Sequence, residues 1–95
     1  MDIDTFDAPR AGRLFRYTLR GSSKFMRSKA YINGQLVHSG DCPDPPCHEE
    51  FMVPESAGGG TLRVLGENAA GQTISRDFII LGRAGSTSSG FSAAG

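Results

Sequence analysis

The stretch RLFRYTLR, residues 13–20, constrains the fold most. From Phe15 onward it puts Phe15, Tyr17 and Leu19 on one face and Arg16, Thr18 and Arg20 on the other. A period of two is the pattern of a strand with one face buried and one wet. The same grammar recurs along the chain. In SKAYINGQLVHSG, Asn33-Gly34 is the pair that best tolerates the two positive φ angles of a type I′ turn, which predicts pairing of residues 28–32 with 35–39. HEEFMVP offers a short strand with Phe51 and Val53 on one face, closed by Pro54. In TLRVLGENAAGQTISRDFIIL, Leu62 and Val64 share the inward face of one strand, residues 69–72 turn, and Ile74, Phe78 and Ile80 face inward on the next. DIDTF offers a first strand, and no segment has a sustained apolar repeat of helical period. Six or seven short strands joined by turns predict an all-β fold, an antiparallel β-sandwich with Phe15, Tyr17, Leu19, Ile32, Phe51, Val53, Leu62, Val64, Ile74, Phe78 and Ile80 in its core.

At 95 residues the chain has room for one domain with a thin core. Thirteen glycines and the absence of tryptophan fit turns and short strands. The expected division is an N-terminal arm or first edge strand over 1–12, the sandwich over 13–81, and a Gly/Ser/Ala-rich arm over 82–95 that cannot form a core of its own. The longest purely apolar run is Phe78 to Leu81, too short to span a bilayer as a helix. Residues 1–20 carry Asp2, Asp4 and Asp7 followed by Arg10, Arg13, Arg16 and Arg20, without the apolar core of a secretory signal, so export by such a signal is not expected.

The stretch HSGDCPDPPCHEE, residues 38–50, concentrates two cysteines, two histidines, three prolines and four acidic residues. His38, Cys42, Cys47 and His48 carry the donor atoms of a zinc site. Their spacing argues against one: all four lie in one loop, and the adjacent Cys47 and His48 point to opposite faces of an extended chain. A Cys42–Cys47 disulfide needs only that the prolines bring the two Cα atoms within about 6 Å, and such a ring would stabilise the fold by about 2 kcal/mol. Two reduced thiols in a stiff loop are the alternative, because compartment decides between them.

Signs of catalysis are few. GENAAGQT, residues 66–73, has phosphate-loop spacing but glutamine where the phosphate-binding lysine belongs, and it falls on a hairpin turn with no helix behind it. Ser39, His38 and Asp41, or Cys42 with His48, supply nucleophile and base types, but residues so close in sequence seldom converge on a substrate. Neither an enzyme nor a cofactor is expected.

Charge is distributed unevenly. Arg10, Arg13, Arg16, Arg20, Lys24, Arg27 and Lys29 form a basic block with no acidic residue between them, and Asp41, Asp44, Glu49, Glu50 and Glu55 form an acidic block with no basic one. The total is zero, which gives no general attraction to phosphate, so direct nucleic-acid binding is not expected. Two opposite patches predict instead that copies of the chain, or a repeating partner, meet positive face to negative face. Arg16 and Arg20 on the alternating strand, and Phe91 as the one aromatic group of the C-terminal arm, are the candidate partner-binding residues.

FMVPESAGGGTLRVLGENAAGQTISRDFIIL resembles the last three strands of bacterial and phage immunoglobulin-like domains, and AYINGQLV is similar to their central hairpin. The resemblance covers residues 13–81 and implies an immunoglobulin-like sandwich with extended terminal arms. Lacking tryptophan, and with both cysteines in one loop, the chain departs from antibody domains, so no inter-sheet disulfide is implied. A short chain of this kind, beginning at Met1, looks like a phage head decoration (cement) protein or a minor capsid or tail component. The implied setting is the virion, with the major capsid protein or neighbouring copies as partners. The alternatives are a secreted adhesion or carbohydrate-binding module, extracellular or at the cell surface, and a small zinc-dependent interaction domain.

Overall fold

The computed structural model describes residues 1–82 of the chain. Seven strands follow in order: β1 (Asp2–Thr5), β2 (Leu14–Arg20), β3 (Met26–Ile32), β4 (Gln35–Cys42), β5 (Cys47–Met52), β6 (Thr61–Glu67) and β7 (Thr73–Ile79), with one 3-10 turn at Glu55–Ala57. They form two sheets, β1-β2-β5 and β4-β3-β6-β7, in which all neighbouring strands run antiparallel. This is an antiparallel β-sandwich of three strands on four, with the fourth strand kept beside the third.

The alternation of β2 fixes which face meets the opposite sheet. Phe15, Tyr17 and Leu19 are buried against Ile32, Leu62 and Val64 of the other sheet, with Phe51, Val53 and Ile80 in the same cluster. Ile74 and Phe78 face the same interior but stay half-buried, because β7 is an edge strand and covers them from one side only. The cluster also takes in Ile3, Ala11, Met26, Ala30, Cys42 and Ala57, which the sequence pattern did not single out.

Asn33 and Gly34 adopt φ 50° and 83°, the left-handed pair that a type I′ turn requires. The hairpin starts in the predicted register, Ile32 opposite Gln35 and Tyr31 opposite Leu36, but then shifts by one: Ala30 pairs with His38, leaving Val37 as a bulge. A bulge changes which face the following residues point to. Leu36 therefore faces solvent while His38, two residues on, turns into the sandwich.

The N-terminal stretch is not a free arm. β1 pairs with β2 from Asp2 opposite Arg20 to Thr5 opposite Tyr17, and the chain then crosses to the other sheet, where Arg10 and Leu81 form a parallel bridge. The Leu81 N–H donates to the Pro9 carbonyl at 2.8 Å, and the Ala11 N–H to the Leu81 carbonyl at 3.0 Å. The strand directions gather loops 21–25, 43–46 and 68–72 at one end of the sandwich. The Asn33-Gly34 turn and the exit at Leu81 lie at the other.

Candidate functional site

The cysteine-histidine stretch builds one edge of the sandwich. β4 belongs to the four-stranded sheet and β5 to the three-stranded one, and Cys42 and Cys47 close a disulfide between them with Cα atoms 5.8 Å apart. Of the two readings left open by the sequence, the bonded one holds. The resemblance did not imply an inter-sheet bond, yet this one joins the sheets: the two cysteines are close in sequence, but the chain changes sheets between them.

The bulge brings His38 inward above this bond. Its Nε2–H donates to Glu49 Oε1 at 2.8 Å, its ring stacks on Phe51 (centroids 5.5 Å apart, interplanar angle 16°), and Tyr17 meets it edge-on. Gly40 makes room for the carboxylate, since a Cβ there would overlap the Glu49 side chain. Behind them the Tyr17 and Ser28 hydroxyls hydrogen-bond at 2.8 Å between the two sheets, wholly buried. Burial pushes the Tyr17 phenol up to about 12; the Glu49 charge adds to the rise and the Ser28 bond opposes it.

His48 points the other way. It lies on the outer face of β5, where Nδ1 meets Thr18 Oγ1 at 2.9 Å. His38, Cys42, Cys47 and His48 therefore do not converge: two are bonded to each other and the histidines face opposite sides of their sheets. Among the described residues no group of three or more His, Cys, Asp or Glu side chains is placed to hold a metal ion. The hydrolase-like sets are dispersed as well. Ser39 and Asp41 face outward on β4 while His38 faces inward, and Cys42 is taken by the disulfide. GENAAGQT is a hairpin turn in which Asn68 Oδ1 accepts the N–H groups of Ala70 and Gln72.

Strand pairing brings parts of the two charge blocks together. β2 lies beside β5 and β3 beside β4, so the basic block is set against the acidic one: Arg16 pairs with Glu50 at 3.5 Å and Arg27 with Asp41 at 3.3 Å. Arg20 pairs with Asp4 of β1. The two blocks therefore meet in part as local ion pairs, and Arg16 and Arg20 are both paired on the outer face of the three-stranded sheet. Phe91 lies outside the described residues.

The exposed apolar groups were not legible as sites. Leu14 and Met52 are cross-strand partners on the outer face of the three-stranded sheet, and Phe6 joins Leu14 along a shallow hollow of about 280 Å³ that reaches Arg16. Phe6 and Met52 are 70% and 60% exposed. On the outer face of the four-stranded sheet a second hollow of about 530 Å³ is lined by Tyr31, Gly34, Thr61, Arg63, Leu65 and Ser75. Arg63 is fixed there by two bonds to Asp77, at 2.8 and 3.1 Å. These bonds raise the basicity of the guanidinium and hold the carboxyl below its usual range.

No family model, no curated protein and no solved structure matches this chain.

Proposed function

We propose that the chain is a non-enzymatic structural module that binds a larger symmetric assembly, in its most specific form a phage virion decoration or minor capsid or tail protein held on the major capsid protein. The observation that carries this reading is the apolar patch of Phe6, Leu14 and Met52, rimmed by the Arg16–Glu50 pair. A contiguous apolar patch with a polar rim is the surface pattern of a protein contact. Arg16 keeps the role the sequence suggested, as rim rather than as a free cation. Binding through such a patch depends on burial, so it should persist at moderate salt, where contacts between unpaired charges are screened. Cosedimentation of the purified protein with capsid particles stripped of decoration tests the reading. Binding that survives about 0.3 M salt, where the screening length is only a few ångströms, and is lost in Phe6→Ser/Met52→Ser supports it. No binding at low or moderate salt removes the virion form.

The inter-sheet disulfide favours a second reading, a secreted adhesion or carbohydrate-binding module, because such bonds form in the oxidising settings through which secreted proteins pass. A glycan array separates the two: retention of the folded protein by particular oligosaccharides, with none by particles, decides for the secreted module.

A further inference from the structure

Arg10, Ala11, Gly12 and Arg13 form a tight turn in which the Arg13 N–H donates to the Arg10 carbonyl at 3.1 Å. Gly12 sits at φ 77°, the positive angle a turn of this kind takes at its third position, and the turn keeps the Cα atoms of Arg10 and Arg13 within about 7 Å. It is fixed to the core. Ala11 is buried, the Gly12 N–H donates to the Val53 carbonyl at 2.9 Å, and the Val53 N–H donates to the Arg13 carbonyl at 2.9 Å. Arg13 is exposed and joins no ion pair among the described residues, and the Arg10 guanidinium donates to the neutral Gly82 carbonyl at 2.8 Å. Holding two such like charges this close works against folding, so stability does not account for the pair. Two planar guanidiniums side by side suit carboxylate oxygens.

The surface beside the turn runs into the apolar patch. A hollow of about 320 Å³ is lined by Asp7, Ala8, Arg10, Arg13, Leu14 and Leu81, and it shares Asp7, Ala8, Arg13 and Leu14 with the hollow that reaches Phe6 and Arg16. Arg16 is matched by Glu50, so Arg10 and Arg13 leave an excess of positive charge over Asp7, the one acidic residue lining either hollow. Glu55 lies beside Gly12 and lines neither. The cationic spot is too short to track a nucleic-acid backbone, because the next hollow beyond Phe6 is lined by Glu49 and Glu50. Residues 83–95 contain no acidic side chain, so the chain's own C-terminal stretch has none to offer the arginines.

We propose that the Arg10–Arg13 turn and the Phe6–Leu14 surface together take an acidic segment of a partner protein, with its carboxylates on the two guanidiniums and a neighbouring apolar side chain against Leu14 and Phe6. The charges set the direction in which the segment lies, and the apolar contact holds it. This rests on the proposed protein-contact role of the patch and deepens it by naming the chemistry of the partner segment. Its test uses a peptide and no particles, so its failure is distinct from failure to bind a capsid.

The probe is a blocked peptide of two glutamates followed by leucine and phenylalanine, titrated into the full 15N-labelled chain at low salt and followed by amide and arginine side-chain shifts. Saturable shifts should centre on Phe6, Arg10, Arg13 and Leu14, with the millimolar affinity that so short a ligand can reach. Replacing both glutamates by glutamine, or Arg13→Gln in the protein, should weaken binding by about tenfold or more, the loss expected when a charged hydrogen bond is removed. Leu14→Ser should weaken it without changing its salt dependence, and Arg63→Gln on the opposite sheet should leave it unchanged. Absence of saturable shifts up to about 10 mM peptide, a concentration that reaches contacts of about 3 kcal/mol, overturns the proposal. So does equal binding of the glutamine peptide or of the Arg13→Gln chain. A thymidine oligonucleotide that shifts the same residues at lower concentration would give the site to nucleic acid instead, and self-association of the chain alone that Arg13→Gln abolishes would give it to a second copy; either result overturns the assignment.

Discussion

The two open sides of the sandwich are closed by different chemistry. At the β4/β5 side a covalent bond, the His38–Glu49 hydrogen bond and the stack of His38 on Phe51 join the sheets through side chains. At the β1/β7 side the join is made largely by the backbone. Pro9 and Ala11 bond to Leu81, the Arg10 guanidinium donates to the Gly82 carbonyl at 2.8 Å, and Arg76 crosses from β7 to the Ile3 carbonyl at 2.8 Å while lying over the Phe78 ring. The first closure joins strands consecutive in the chain; the second joins its two distant ends. A local closure can be made by a few residues of special chemistry, whereas the distant one needs the whole sheet in place before its backbone groups meet. Arg76 has a further effect, because an inward-pointing charge on an edge strand opposes pairing with a foreign strand.

The contrast can be broken at the latched side first. Cys42→Ala/Cys47→Ala should lower stability by about 2 to 4 kcal/mol, read by denaturant unfolding, and reductant should bring the parent chain to the same midpoint while leaving the variant unmoved. An unchanged midpoint would make the bond incidental. The same side should weaken in alkali. The folded Tyr17 phenol titrates at about 12 against an ordinary value of 10.0, so the folded state holds its proton longer than the unfolded one. The stabilisation is complete below pH 10 and is lost as pH rises toward 12. At about 1.4 kcal/mol per pKa unit the loss approaches about 2 to 3 kcal/mol. Melting curves across that window should show it in the parent and not in Tyr17→Phe.

The distant side should respond less. Arg76→Met keeps much of the packing on Phe78 but leaves the Ile3 carbonyl without this donor, at a cost of about 1 to 2 kcal/mol. Hydrogen exchange should quicken in β1 and β7 before it does in β4 and β5; uniform quickening would mean that the two sides open together. The smallest effect belongs to the outer faces. Arg16→Gln removes a solvent-screened pair and should change stability by less than about 1 kcal/mol, so a larger loss would show that Arg16 also supports packing.

Much of the fold was legible because burial imposes a period. The eleven predicted core residues all face the interior, and the Asn33-Gly34 turn forms as read, since only small or asparagine-like residues suit two successive positive φ angles. Short or irregular pieces escaped. Ile3 lies in a four-residue strand, and Met26 and Ala30 alternate with charged or polar neighbours too weakly apolar to stand out. The Val37 bulge left no mark in the pattern, and it alone turns His38 toward Glu49.

Residue order by itself determined the strands, the tight hairpin, the inward faces and the pairing-competent cysteines, because each depends on neighbours one or two positions apart. Tertiary structure decided the rest. Which charges of the two blocks meet depends on which strands lie side by side, and β2 against β5 with β3 against β4 paired Arg16 with Glu50 and Arg27 with Asp41. Whether a five-residue cysteine spacing ties a loop or joins two sheets depends on where the chain changes layers, and it changes between Cys42 and Cys47. The exposed ring of Phe6 and the hollow around Arg63 likewise come from loops and outer faces. No burial period governs the sequence there, so only the folded shape could reveal them.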